Sequence, residues 1–187
     1  PQITDENADQ SLTVTDIQGD LKYEIKFFAY PDEKEIPVLQ NIDFTLKPGQ
    51  TLGLVGKVGS GKTTIIELLL REFDQYQGRI SLGGHDIRNI PLKLLLSEIS
   101  YVPQNNFLFS TSNSEKDLDN GIDAFSDENE EKDKIESAAQ KSDLHDDILQ
   151  MPAGYKTLVG ENGVSLSGGQ KQRLSIARAL LKESPIL

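Results

Sequence analysis

The feature that most constrains the fold is a glycine-rich stretch, GKVGSGKTT, at residues 56–64. It follows a short apolar run, TLGLV, at residues 51–55, and a second apolar run with helical character begins at Ile65. Glycines at such a junction let the backbone turn sharply and bring successive N–H groups together without clashes between Cβ atoms. The stretch therefore predicts a tight loop between a β-strand at residues 51–55 and a helix that is buried against a sheet.

The same stretch satisfies the pattern G-x-x-x-x-G-K-[ST] at Gly56, Gly61, Lys62 and Thr63. Converging N–H groups and the positive end of the following helix favour bound phosphate. The Lys62 ammonium can reach terminal phosphates, and the Thr63 hydroxyl can ligate the magnesium ion that accompanies them. The alternative is a flexible turn with an incidental lysine. We expect a nucleotide-phosphate site formed by Gly56, Lys57, Val58, Gly59, Ser60, Gly61, Lys62, Thr63 and Thr64.

The rest of the chain interleaves strands with helices. Leu21, Tyr23, Ile25 and Phe27 alternate and predict a strand with one buried face. Further strands are expected at residues 38–46, within GRISLGG and at residues 99–104, whereas the polar residues 1–20 are typical of a tail or linker. This order predicts an α/β domain with a helical subdomain at about residues 105–182.

A second motif, LSGGQKQR, lies at residues 166–173 before a run with helical periodicity. Its simplest interpretation is a helix start capped by Ser167. A helix terminus with two glycines is also suited to an anion. Because the first loop surrounds one side of a triphosphate, two such termini indicate a ligand held from both sides.

Composition excludes several classes of function. The chain has 187 residues, a net charge of −11 and no cysteine, so it forms no disulfide or thiolate site, and its overall field repels nucleic acid. No run reaches the roughly 18 apolar residues that a membrane-spanning helix needs. The last residues, SPIL, start an apolar run that predicts a further strand, so we expect the sequence to be a piece of a longer protein.

Both motifs, in this order and at about this separation, resemble those of the ATP-binding cassette (ABC) family, and specifically the nucleotide-binding domain of an exporter-type transporter. GKVGSGKTT resembles the family's Walker A loop and LSGGQKQR its signature motif, and the resemblance covers residues 21–187. It implies a P-loop NTPase core sheet, an antiparallel N-terminal β part and a helical subdomain that carries the signature. Residues 1–20 would be the tail or linker.

The resemblance also assigns roles to residues. Tyr30 in FAYP would stack on adenine, Gln104 in YVPQ would sense magnesium and the attacking water, and Glu161 in VGENG would touch the transmembrane domains. Thr63 and Gln104 would bind Mg²⁺. The implied catalytic residues are Lys62, Gln104, Ser167 and Gly169, and the implied ATP-binding residues are Tyr30, residues 56–64, Ser167, Gly168, Gly169 and Gln170.

The implied function is hydrolysis of ATP to power an exporter at the cytoplasmic face of a membrane. Two domains would pair head to tail, each signature facing the other's Walker A loop, and would bind transmembrane domains but no nucleic acid. The segment TSNSEKDLDNG departs from the family pattern. The Walker B aspartate, the following glutamate, the D-loop and the switch histidine would come after residues 185–187, so residues 1–187 would bind ATP but hydrolyse it very slowly. The alternative is a non-transport ABC ATPase of the translation or chromosome-maintenance type.

Overall fold

A computed structural model of the chain describes residues 5–33, 36–103, 132–157, 159 and 164–187. The chain divides into two compact units, Pro1–Glu98 and Ile99–Leu187. Gln104 and Glu161, to which the sequence assigned roles, lie outside the described residues. The boundaries expected at residues 20 and 105 stay predictions.

The first unit contains a four-stranded antiparallel sheet. Its strands pair in the order β2-β1-β3-β4, so β1 is central and pairs with both β2 and β3. The strands predicted at residues 21–27, at residues 38–46 and within GRISLGG are confirmed, with ends that differ by one residue. The bounds are β1 Leu21–Phe28, β2 Leu39–Leu46, β3 Gln77–Leu82 and β4 His85–Asp86.

The buried face of β1 changes register along the strand. Leu21, Tyr23 and Ile25 are buried as the alternation predicts. The pairing with β3 shifts between Ile25 and Phe27, which is a β-bulge, and Phe28 rather than Phe27 is then fully buried. A bulge inserts one extra residue and so exchanges the two faces of a strand. Phe27, which the alternation places on the same face as Leu21, Tyr23 and Ile25, is for this reason only partly buried.

Helix α1, Lys62–Leu69, follows the glycine loop as predicted. Ile65, Leu68 and Leu69 are buried, and the buried hydroxyl of Tyr23 donates a hydrogen bond of 2.9 Å to the carbonyl of Ile65. This bond joins α1 to the central strand. A 3₁₀ turn at Ile87–Asn89 and helix α2, Leu92–Ser97, complete the first unit.

Residues 5–20 contain no helix or strand, yet they pack on the first unit. Ile17 is 1% exposed, and the Asp5 carboxylate accepts hydrogen bonds from the backbone N–H of Leu92 and from the Arg71 guanidinium. The polar composition predicted a tail or linker and did not reveal these contacts, because one buried isoleucine and one paired carboxylate have no periodicity.

Two predicted strands are not formed. Residues 51–55 pair with no strand among the described residues, and the Val55 side chain is almost fully exposed. In residues 99–103 only Ile99 pairs, in parallel with Ile186, through a 2.8 Å bond from the Ser100 N–H to the Ile186 carbonyl. An extended segment becomes a strand only when a neighbour satisfies its N–H and C=O groups. Apolar composition alone does not supply that neighbour.

The second unit is helical in its described part. Helices α3, Lys132–Lys141, and α5, Gly168–Leu181, pack together, and the short helix α4, His145–Leu149, lies beside α3. The apolar spacing of the sequence places Leu174, Ala177, Leu180 and Leu181 on one face of α5. Leu174, Ala177 and Leu181 are buried, and Leu180 is partly buried against the same core. The core cluster consists of Ala138, Ala139, Leu144, Ile148, Leu166, Leu174, Ala177 and Leu181.

Candidate functional site

The glycine loop takes a conformation that larger residues resist. Gly59 and Gly61 have φ values of 80° and 81°, in the left-handed region that glycine favours. A Cβ atom on Gly61 would lie 2.7 Å from Leu39 Cδ2 and 3.1 Å from the Val38 carbonyl oxygen. The loop is therefore pressed against the start of β2 and is not a freely flexible turn.

The loop wraps around the Lys62 ammonium group. Its Nζ donates to the carbonyl oxygens of Gly56 at 2.9 Å and Lys57 at 2.8 Å, and to Ser60 Oγ at 3.3 Å. A Cβ on Gly56 would lie 2.5 Å from the same Ser60 oxygen, so a side chain there would displace the Ser60 hydroxyl from its contact with Lys62. All three acceptors are uncharged. A phosphate oxygen would replace them with a stronger, charge-assisted partner.

The start of α1 is open to an anion. Its N-cap, Gly61, has no side-chain cap, and its first turn contains no acidic residue. The first N–H groups of a helix have no partner within the helix and carry partial positive charge. Thr63 is exposed beside these N–H groups. The side chains of Lys57 and Val58 are also exposed, so backbone groups line the inside of the loop. Loop and helix start fit a polyphosphate.

Tyr30 lies in the connection after β1 and reaches α1. Its hydroxyl is 2.7 Å from Thr64 Oγ1 and donates a bond of 2.8 Å to Glu67 Oε2. Its ring makes edge contacts with Phe28 and Phe73, each at a centroid distance of 5.3 Å. Burial, aided by the nearby carboxylate of Glu67, raises the pKa of Tyr30, so the hydroxyl keeps its proton at neutral pH.

Sequence reasoning predicted Tyr30 and Thr64 as site residues but missed Glu67. The signal was present, because residues 64 and 67 are three apart on a helix and therefore share a face. What the sequence lacks is the position of Tyr30 over that face, which depends on the pairing of β1 and β2.

The signature residues begin α5 in the second unit. The Ser167 hydroxyl accepts a bond of 3.2 Å from the Gln170 N–H, and the Gln170 side chain accepts one of 3.0 Å from the Ser167 N–H. This reciprocal pair is a capping box, which confirms Ser167 as the N-cap. Gly168 and Gly169 carry no Cβ, and an added Cβ on Gly168 would meet no atom within 4 Å. The backbone at the helix start is accessible.

A family model described as "ABC transporter" matches residues 39–187, most of the chain. The chain belongs to the ABC transporter family. The predicted resemblance is thereby confirmed, as is the fold class: an α/β P-loop NTPase domain with an antiparallel N-terminal sheet.

Curated ABC relatives match nearly the whole chain. "ABC transporter B family member 3" of Dictyostelium discoideum is 43% identical over 91% of the chain and 12% of its own length. "ATP-dependent lipid A-core flippase" of Photorhabdus laumondii is 41% identical over 97% of the chain and 30% of its length. "Multidrug resistance-like ATP-binding protein MdlA" of Escherichia coli is 44% identical over 96% and 29%. The chain thus spans less than a third of the length of these relatives.

The described residues were compared with what a metal-binding cluster and a membrane-spanning helix require. Within residues 5–33, 36–103, 132–157, 159 and 164–187, no cluster of three or more histidine, aspartate or glutamate side chains could hold a metal ion. The ligands expected for magnesium are the exposed Thr63 hydroxyl and Gln104, which is outside these residues. Across the same ranges, no helix has the length and apolar character that crossing a bilayer requires.

Proposed function

We propose that this ABC domain binds and hydrolyses ATP to power an exporter. The observation that carries the proposal is the loop of residues 56–61 closed around the Lys62 ammonium, directly before an uncapped helix start. A neutral cradle with a cation at its centre is the arrangement that a polyphosphate chain fits. The names of two relatives, a flippase and a multidrug resistance-like protein, support a role in transport.

Each residue expected at the nucleotide site then has a role. Loop N–H groups and Lys62 hold the β- and γ-phosphates, and Tyr30 contacts the adenine ring. Thr63 and Gln104 would hold Mg²⁺, which when bound neutralises charge on the phosphates. Lys62 orients the terminal phosphate, and Gln104 positions the attacking water.

The start of α5 completes the site in a second copy or a related domain. Ser167, Gly168, Gly169 and Gln170 present a capped helix terminus with glycine backbone exposed at its tip. Such a terminus can approach a phosphate closely and stabilise its negative charge. We therefore propose that two domains pair head to tail around ATP, with transmembrane domains as further partners, at the cytoplasmic face of a membrane.

Replacement of Lys62 by alanine tests the proposal. The change removes the one side-chain cation around which the loop is closed, and charged hydrogen bonds of this kind contribute about 1.5–3 kcal/mol each. We expect Lys62→Ala to weaken the binding of a fluorescent ATP analogue by at least about tenfold. Lys93→Ala, at an exposed position of α2, is the matched control and should bind as the wild type does. Equal affinities for all three proteins would refute the phosphate site.

A further inference from the structure

The hydroxyl groups of Tyr30 and Thr64 form a directed chain of hydrogen bonds that ends at Glu67. Tyr30 has one hydroxyl hydrogen, and it points to Glu67 Oε2 at 2.8 Å, because a carboxylate can only accept. The Tyr30 oxygen is also 2.7 Å from Thr64 Oγ1, so Thr64 must be the donor in that bond. The order is therefore Thr64 to Tyr30 to Glu67.

Donation to Tyr30 uses the one hydroxyl hydrogen of Thr64. Thr64 lies in the first turn of α1, two residues after Lys62, where the proposed phosphate site begins. A hydroxyl that donates to Tyr30 cannot donate to a phosphate oxygen at the same time. Thr64 is 3% exposed and its hydroxyl contacts Tyr30, so the hydroxyl is not open to a phosphate oxygen in this arrangement.

We infer that Glu67 is a positioning residue that acts through Tyr30 and holds the Thr64 hydroxyl away from the phosphate site. A phosphate bound to the Thr64 hydroxyl and the present orientation of Tyr30 therefore exclude each other. The inference rests on the proposed nucleotide site and deepens it. Phosphate at the loop takes the Thr64 hydrogen and weakens the bond that ties the Tyr30 hydroxyl to α1. The ring proposed to contact adenine is then released by the arrival of the phosphates.

The surroundings of Tyr30 allow such a movement. The residue lies outside the sheet, in a turn closed by a 3.0 Å bond from the Glu33 N–H to the Tyr30 carbonyl. Its side chain is only partly buried, and its ring makes edge-to-face contacts with Phe28 and Phe73. The two hydroxyl bonds add to these contacts in fixing the orientation of the ring.

Tripolyphosphate is the probe that isolates this coupling, because it carries the phosphates of ATP without the base. We expect Tyr30→Phe in the full-length protein to bind magnesium tripolyphosphate about 2- to 10-fold more tightly than the wild type. The reason is that the Thr64 hydroxyl no longer donates to Tyr30 and can donate to phosphate, which is a gain of one net hydrogen bond. Isothermal titration measures the affinity. In a Thr64→Val background, the same Tyr30→Phe change should have no effect.

Two matched variants separate the hydrogen bond from charge and from loosening of the helix. Glu67→Met and Glu72→Met each remove one negative charge near Tyr30, but only the change at Glu67 also removes an acceptor of the Tyr30 hydroxyl. Glu67→Met should therefore raise tripolyphosphate affinity more than Glu72→Met does. Tyr23→Phe removes another hydroxyl that holds α1, through the carbonyl of Ile65, and should lower thermal stability without tightening tripolyphosphate.

The outcomes distinguish this inference from the proposed function. If wild-type tripolyphosphate binding depends on Lys62 but Tyr30→Phe leaves it unchanged or weaker, the inference fails and the phosphate site stands. The inference fails in the same way if Tyr30→Phe tightens binding equally in the Thr64→Val background, or if Glu67→Met and Glu72→Met act alike. If the wild type binds no tripolyphosphate, or binds it equally with Lys62→Ala, both proposals fail.

Discussion

Lys62 and Thr64 lie two residues apart, yet their side chains have opposite surroundings. Among the described residues, the Lys62 ammonium donates to oxygens of the loop, at the open side of the turn. The Thr64 hydroxyl is buried beneath Tyr30 and belongs to a different hydrogen-bond chain. In the proposed site these two positions of one motif would therefore meet a phosphate by separate routes: Lys62 would supply charge directly, and the Thr64 hydroxyl would first have to be released from Tyr30.

Gly61 offers a test of how tightly the loop is fixed. Gly61→Ala places a Cβ at a φ of 81° and within 3.1 Å of the Val38 carbonyl oxygen. We expect the backbone conformation to cost about 1–2 kcal/mol and the overlap about 1–3 kcal/mol more in unfolding free energy. Denaturant unfolding measures the loss.

Gly49→Ala is the matched control for that experiment. Gly49 has a φ of 79°, but an added Cβ would meet no atom within 4 Å. Its loss should therefore be limited to the backbone cost of about 1–2 kcal/mol. If both variants lose the same stability, the loop is not pressed against β2 and can move away from the added methyl group.

At the scale of single elements, the cap of α5 makes a separable contribution. Ser167→Ala removes the hydroxyl that accepts from the Gln170 N–H and should destabilise the chain by about 1 kcal/mol. Ser167→Asp retains an acceptor and should restore most of the stability, although its charge would repel a phosphate. Thermal unfolding with and without ATP measures both properties.

The two Ser167 variants test different statements. A Ser167→Ala chain as stable as the wild type would mean that the capping box does not hold α5. A Ser167→Asp chain that is stable and still supports full ATP hydrolysis by the parent protein would contradict the proposed approach of this helix start to a phosphate.

Element by element, the sequence predicted local structure better than pairing. The glycine loop, α1, α5 and its cap, and β1 to β3 follow from motifs and periodicity that lie within each segment. The missing strand at residues 51–55 and the exchanged burial of Phe27 and Phe28 both depend on a partner strand. In the site, Lys62 and the loop followed from a contiguous motif, whereas Glu67 depended on where Tyr30 lies in three dimensions. The periodicity of a sequence shows neither which strand pairs with a given segment nor that Tyr30 lies beside Glu67.

At the scale of the whole molecule, charge poses a problem that the loop solves locally. The chain has a net charge of −11, which disfavours an anion such as ATP at long range. Screening limits that repulsion to about 10 Å at 0.1 M salt. Within that distance the proposed phosphate site has the Lys62 ammonium and a helix start whose first turn contains no acidic residue, while the Glu67 carboxylate lies one turn further along α1 and accepts a hydrogen bond from Tyr30. We expect the close donors at the loop to outweigh the distant net charge.

The last prediction separates binding from hydrolysis. Residues 1–187 contain the loop, Lys62, Tyr30 and Gln104, so we expect this chain to bind ATP measurably. Turnover also needs a carboxylate that fixes magnesium and polarises water. From the family resemblance we expect these carboxylates to follow residues 185–187 and a second copy to supply α5. Phosphate release by residues 1–187 should therefore stay at background, while a version extended by the next strands should show turnover that rises with protein concentration. Equal turnover by both would place the catalytic carboxylate within residues 1–187 and contradict the assigned division of the site.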